Sequence, residues 1–432
     1  MKRFFLFAMT FILVFVLTAA SVSPQGKPTT LTFWTFQEEH ARFFNDAVEA
    51  WNAANPAKQI ELKIESYAYE EAHNKLLIAL QAGTGAPDMA DIEESMFSNF
   101  LKGINLSLIP LNDIVEPVLD KCVKSRFDIY SKEGKYYGID YHVGATVMYY
   151  NTEIMDKAGV NIDDIVTIED FVEAGKKVVA ATGKPMITIE TTDQWSFWPF
   201  ISQQGSDYFD KNGECILDNE TNIKTLQTLV DWVYKDKIAI GTPGGNHHTE
   251  EYWTFMNNGG AASLMMPMWY MGRFINYMPD LKGKIAIRPL PTWTEGGNRS
   301  AGMGGTGTTI TIQCKEENVD LAKQFLAFAK LSKEAAIKTW TVLGFDPLRW
   351  DVYDDPKMKE STRFTDYFGT GIIDVLKEVK DEVIAVNIPE NFADAGLLAK
   401  TTIPFKAIKE RSGTPEEVLK EAADEVRALA KK

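Results

Sequence analysis

The earliest legible pattern is an alternating run, Leu31-Thr-Phe-Trp-Thr-Phe36, whose aromatic and β-branched residues predict a strand. Phe43, Ala47, Val48, Ala50 and Trp51 then recur at three- and four-residue spacing, which predicts a helix that Asn55-Pro56 ends. Ile60, Leu62 and Ile64 alternate as a second strand, and Ala72, Leu76, Leu77, Ala79 and Leu80 form a second helical stripe closing at Gly83-Thr-Gly85. Strand, helix, strand, helix in that order predicts an α/β lobe with a largely parallel sheet. The pattern then recurs. A helix opens at Thr167 with Asp170 as the reciprocal acid; a strand covers Met186–Ile189, a helix Ile223–Tyr234, and further strands Ala262–Met265, Ile285–Arg288 and Thr308–Ile312. Leu321, Ala322, Phe325, Leu326, Phe328 and Ala329 mark another helix, and Thr414-Pro-Glu-Glu417 reads as a capped start to the last one. Two α/β lobes of similar size account for 432 residues.

Ahead of the first strand, Lys2 and Arg3 precede the apolar run Phe4–Leu17, which ends in the small residues Thr18-Ala-Ala-Ser-Val-Ser23. Basic start, apolar centre and small-residue end are the parts of a secretory signal. The run is shorter than the roughly 20 apolar residues a membrane span needs, so residues 1–23 are expected to be cleaved. No cysteine near that point offers a thiol for a lipid anchor. The expected destination is the periplasm, as a soluble protein.

Composition narrows the function classes. A net charge of −15 opposes binding to nucleic acid or an anionic membrane surface. Cys122, Cys215 and Cys314 are too few and too scattered for a disulfide framework or a metal site. Gly302, Gly304 and Gly307 spell G-x-G-x-x-G, but a dinucleotide site needs that motif to leave a strand and open a helix, and here it opens a strand. It reads instead as a glycine crossover. His247-His248 with Glu250 and Glu251 lacks zinc spacing and reads as a solvated loop. No catalytic motif is present, and neither a cofactor nor a metal is expected.

The chain is 12% aromatic, and its rings divide by position. Trp51, Trp232 and Trp340 fall within helical patterns and read as core. Trp34, Tyr141, Trp195, Trp198, Trp269 and Tyr270 lie at expected strand ends or beside acids and amides, where open α/β sheets place ligands. Flat apolar faces rimmed by hydrogen-bonding groups suit a sugar ring.

Read in order, Leu31-Thr-Phe-Trp, Gly83-Thr-Gly-Ala-Pro-Asp88, Tyr136-Tyr-Gly-Ile-Asp-Tyr-His142, Met148-Tyr-Tyr-Asn151, Trp198-Pro-Phe with Gly205, Phe255-Met-Asn-Asn-Gly-Gly-Ala-Ala262 to Trp269, the glycine run and Ala322-Lys-Gln-Phe-Leu-Ala-Phe328 resemble the family 1 extracellular solute-binding proteins. These are sugar-binding receptors of ATP-binding-cassette importers, maltose-binding-protein-like, and the likeness spans nearly the whole chain after the signal. It implies a type II periplasmic-binding-protein fold, with two lobes joined by three crossings near Tyr141–Gly144, Ala301–Thr306 and Gly344–Leu348. An N-terminal lobe of residues 30–142 plus 306–345 and a C-terminal lobe of residues 143–303 plus 346–432 follow from it. Carried over by position, Gln37, Glu38 and Glu93 would contact ligand; Trp195 and Trp269 would stack on it; Asp140, Tyr141 and His142 would sit at the first crossing; Gly304 and Gly305 would offer backbone N–H groups. The sequence departs from the maltose receptor in having no Trp after Trp350, with Asn391-Phe392 as the stand-in.

The expected function is capture of a mono- or oligosaccharide, without chemistry, for delivery by a monomer to a membrane permease. Two alternatives remain open from sequence. Glu38, Glu93 and Asp140 with the rings could cage a cation such as a polyamine, or two of Glu93, Glu94 and Asp140 could serve a secreted glycoside hydrolase.

Overall fold

A computed structural model describes residues 27–360, 362–384 and 386–431, so the expected signal segment lies outside the described residues. In chain order the main strands are β1 (Thr29–Thr35), β2 (Ile60–Ser66), β3 (Met89–Glu93), β4 (Thr146–Asn151), β5 (Ile187–Ile189), β6 (Ala239–Gly241), β7 (Ser263–Pro267), β8 (Ile285–Arg288) and β9 (Thr306–Ile310). They build two principal sheets, one in each lobe.

The first sheet has the order β9-β3-β1-β2. β1 runs parallel to β2 and β3, while β9 pairs antiparallel with β3, from Thr306 opposite Glu93 to Ile310 opposite Met89. Alternation along β1 separates its two faces. Leu31 and Phe33 enter a core with Phe43, Phe44 and Trp51 of the helix Glu38–Ala54 and Phe325 of the helix Glu316–Leu331, whereas Trp34 joins the core on the opposite face.

The second sheet, β8-β4-β7, is antiparallel throughout, which corrects the expectation of a recurring parallel sheet. Its central strand β4 is buried at all six positions. A strand covered on both faces shows no alternation, which is why Met148-Tyr-Tyr-Asn151 was legible as a motif but not as a strand. β5 and β6 form a separate parallel pair. The expected helix starts hold: Thr167 and Thr414 each close a capping box, with Asp170 and Glu417 as the reciprocal acids.

Three segments carry the chain between the sheets and lie side by side. Val143 N–H donates to Asp346 C=O at 2.9 Å, and Met303 N–H donates to Gly144 C=O at 2.8 Å. The Asp346 carboxylate accepts Ala145 N–H at 2.7 Å. Gly144 adopts φ 72°, and a Cβ there would lie 2.3 Å from the Met303 carbonyl oxygen. Left-handed backbone alone costs a side chain about 1–2 kcal/mol, and here a backbone collision adds to it. Gly144→Ala is therefore expected to lower stability by about 3 kcal/mol or more in urea unfolding. Gly159→Ala, at φ 64° with nothing within 4 Å, should lose only about 1 kcal/mol. Equal losses would contradict the close packing of the crossings.

Candidate functional site

The strand ends and crossings enclose a cleft of about 630 Å³. The carboxyl ends of β1 and β3 deliver Phe36, Gln37 and Glu93 to one side. Glu93 is fixed at its tip, accepting the Tyr69 hydroxyl at 2.9 Å and Ser95 N–H at 2.9 Å. His40, in the first turn of its helix, holds Asp91 Oδ2 at 2.9 Å through Nδ1 and stacks on Tyr141 at 3.8 Å.

The opposite side is aromatic. Trp195 and Trp269 meet nearly perpendicular, 5.4 Å apart at 75°, and the His248 ring lies parallel to Trp269 at 5.8 Å. The Trp269 indole N–H donates to Met303 C=O at 3.1 Å, which fixes the ring to the second crossing. Behind this wall, the buried Glu190 carboxylate accepts the N–H of Trp195 and of His247, both at 2.8 Å. Burial alone would raise its pKa, but His247 beside it, with Nδ1 at 3.2 Å, draws it below the ordinary value. Burial lowers His248 to about 4, so this ring is neutral.

Charge on the rim is mixed. Asp193 lines the cleft together with Arg273, Arg363 and Lys400. Burial, reinforced by Glu190, pushes Asp193 up to about 7, while Lys400 pulls the other way.

Beneath the floor lies a buried ionic cluster. Arg126 reaches Asp140 at 2.6 Å, Glu94 at 3.0 Å and the carbonyl of Gly304 at 2.5 Å. Tyr130 donates to Asp140 at 2.8 Å, and Asp140 Oδ1 accepts Thr306 N–H at 3.0 Å. Burial competes with Arg126 at both acids, leaving Glu94 raised to about 8 and Asp140 lowered to about 2. A Cβ on Gly305 would sit 2.2 Å from the Asp140 carboxylate, so only glycine lets the backbone lie over this cluster.

Of the residues expected at the site, Gln37, Glu93, His142, Trp195, Trp269, Gly304 and Gly305 line the cleft. The others lie elsewhere. Trp34 packs against Tyr67 and Lys75 beside the helix Tyr69–Ala82, because strand alternation turns it to the far face. Glu38 is exposed outside the cleft. Asp140 serves Arg126 from below, and Tyr141 is buried between His40 and Lys330, its hydroxyl donating to Asp91 at 3.1 Å. Tyr270 is buried behind the wall, donating to His247 C=O. The Gly304 N–H donates to Glu94 Oε1 at 2.8 Å, so it faces away from a ligand. Phe392 is core, packed on Trp198 and Tyr208, and is no stand-in for a stacking Trp. The His247-His248 loop, read as solvated, forms part of the wall. Trp51, Trp232 and Trp340 are core as expected, and the three cysteines are free.

Sequence reasoning missed His40, Asp193, His248, Arg273 and Lys400. Arg273 follows Trp269 by one helical turn, a spacing that was readable. Lys400 carries no local signal.

Two outcomes check this geometry. Arg126→Met leaves two buried carboxylates without their cation and should cost about 3–5 kcal/mol in urea unfolding; a loss below about 1 kcal/mol would contradict the cluster. Asp193 has a folded pKa above its unfolded value of about 3.9, so its folded form binds the extra proton between those values and stability falls as pH rises toward 7. Asp193→Asn should therefore be more stable than the unaltered protein at pH 8, with a much smaller gain at pH 5. An equal gain at both would contradict the shifted carboxyl.

Residues 37–336 match the family described as bacterial extracellular solute-binding protein. The chain is 53% identical over 412 residues to an arabinooligosaccharide-binding protein of Bacillus subtilis, covering 95% of this chain and 94% of that one. It is 52% identical to another of that description from Halalkalibacterium halodurans, covering 93% and 89%. Among solved structures, a cyclic α-maltosyl-1,6-maltose binding protein from Arthrobacter globiformis superposes with a TM-score of 0.76 at 17% identity, over 93% of this chain and 99% of that one. A maltose-bound T. maritima protein does so with a TM-score of 0.73 at 21% identity, over 93% and 100%. The structural likenesses establish the two-lobe fold.

Proposed function

The chain belongs to the bacterial extracellular solute-binding proteins, and on that premise we propose that its cleft receives an arabinose oligosaccharide for an ATP-binding-cassette importer. The observation that carries this reading is identity above 50% over nearly the whole chain to two arabinooligosaccharide-binding proteins. The perpendicular Trp195 and Trp269 supply stacking faces for sugar rings, and Gln37, Glu93, Asp193, Arg273 and Lys400 supply hydrogen-bonding partners for hydroxyls. The protein binds and performs no reaction, as its relatives are binding proteins.

The lobes divide, in this reading, into residues 30–142 with 306–345 and residues 143–303 with 346–432, and they close on the ligand by hinge motion at the crossings. The protein acts as an exported soluble monomer in the periplasm after loss of residues 1–23, and it delivers its ligand to a membrane permease. No described helix is long and apolar enough to cross a membrane.

The alternatives fit less well. A cationic ligand would meet Arg273, Arg363 and Lys400 in the cleft. A hydrolase pair drawn from Glu94 and Asp140 is tied up by Arg126 below the floor.

Isothermal titration with arabinotriose tests the assignment. Trp195→Ala and Trp269→Ala should each weaken binding about tenfold or more, roughly the stacking and burial a ring contributes. Trp34→Ala should leave affinity unchanged. Unaltered affinity in both cleft variants would overturn the assignment.

A further inference from the structure

His142 and Asp346 stand out among the crossing contacts because their facing atoms are unused. His142 belongs to the first crossing and lines the cleft; Asp346 belongs to the third and is fully buried. His142 Nδ1 and Asp346 Oδ1 lie 4.0 Å apart, and both are buried with no hydrogen-bond partner among the described residues. The neighbouring groups of the same crossings make hydrogen bonds. The other Asp346 oxygen accepts Ala145 N–H, its carbonyl accepts Val143 N–H, and Tyr353 donates to the Pro347 carbonyl at 2.9 Å. The Phe345 ring stands edge-on to His142 at 4.9 Å.

Two complementary buried atoms, each lacking a partner and each aimed across the same gap, are costly as they stand. The cost is removed if the gap shortens by about 1 Å to hydrogen-bond distance. The crossings are the segments whose relative position a hinge rotation changes. Although buried, His142 lines the cleft, so the pair adjoins the space a ligand would occupy.

We propose that His142 is a positioning residue that couples ligand to closure, its Nδ1 forming a hydrogen bond with Asp346 Oδ1 only when the cleft is loaded and the lobes have rotated. The bond is available in either protonation arrangement. Burial holds the imidazole neutral, lowered to about 3, and places the Asp346 carboxyl near 7, so one proton serves the pair as imidazole N–H or carboxylic O–H. The contact thereby stabilises the loaded form over the empty one, which is what shifting a two-state equilibrium requires. This rests on the reading of the cleft as a ligand site closed by hinge motion.

A double-mutant cycle tests it, using His142→Phe, Asp346→Ala and the double variant, with arabinotriose as ligand. Neither Phe nor Ala can make the bond, and Asp346→Ser, which keeps an oxygen for Ala145 N–H, replaces Asp346→Ala if that variant does not fold. Each single variant should weaken arabinotriose binding about fivefold to tenfold, the scale of one buried hydrogen bond. The double variant should lose little more than either single. In ligand-free urea unfolding the two substitutions should be additive, because the bond is absent there. Additive losses in affinity, or the same coupling in the ligand-free protein, would overturn the inference. If the unaltered protein fails to bind arabinotriose, the functional reading fails instead. Should His142→Phe not fold, His142→Leu completes the same cycle.

Discussion

The buried guanidinium of Arg126 is the interaction on which the rest of the cleft depends. It joins Glu94 just after β3, Asp140 just before the first crossing and the Gly304 carbonyl in the second crossing. These are three stretches of chain far apart in sequence. One cation thereby ties the segment after β3 to the segments that enter the first crossing and precede β9, and it fixes the backbone that forms the cleft floor. An ion cluster this deep is sensitive to the loss of a member, since the remaining charges stay desolvated. The glycines above it follow from the same constraint, as Gly305 lies against the Asp140 carboxylate and Gly304 against the Trp269 indole.

From that floor the aromatic wall is built outward. Met303, next to Gly304, accepts the Trp269 indole N–H, and Trp269 in turn meets Trp195 and His248. Glu190 holds the backbone of Trp195 and His247 from behind. The aromatic wall is therefore held by buried polar groups rather than by loose loops. For the proposed oligosaccharide, that preformed geometry would lower the ordering cost of binding. The mixed rim of acids and cations suits a ligand with many hydroxyls and no net charge.

Much of this was legible in the sequence, and the failures have physical causes. Alternation and helical spacing located β2, β8 and the helix around Trp51, since these have one buried and one more open face, and β1 was legible from its aromatic and β-branched residues although both of its faces meet core. β4 escaped because both of its faces are covered. Trp195 and Trp269 were marked by their place after expected strands, whereas Trp34 was assigned to the cleft because strand-end position does not say which face a ring takes. Asp140 and Tyr141 sit at the crossing as the resemblance implied, but their side chains turn inward to Arg126 and Asp91. His248 was read as solvated because its partners, Trp269 and Tyr270, are brought to it only by the fold. Lys400 lies far along the chain from Trp195, Trp269 and Arg273, and nothing in its neighbourhood announces a site.

The most direct measurement of the central claim is a calorimetric titration of the unaltered protein, run separately with arabinotriose, maltotriose and spermidine. The account predicts saturable binding of one arabinotriose per chain, insensitive to salt, with maltotriose weaker and spermidine silent. No heat from arabinotriose, together with salt-dependent binding of spermidine, would contradict it.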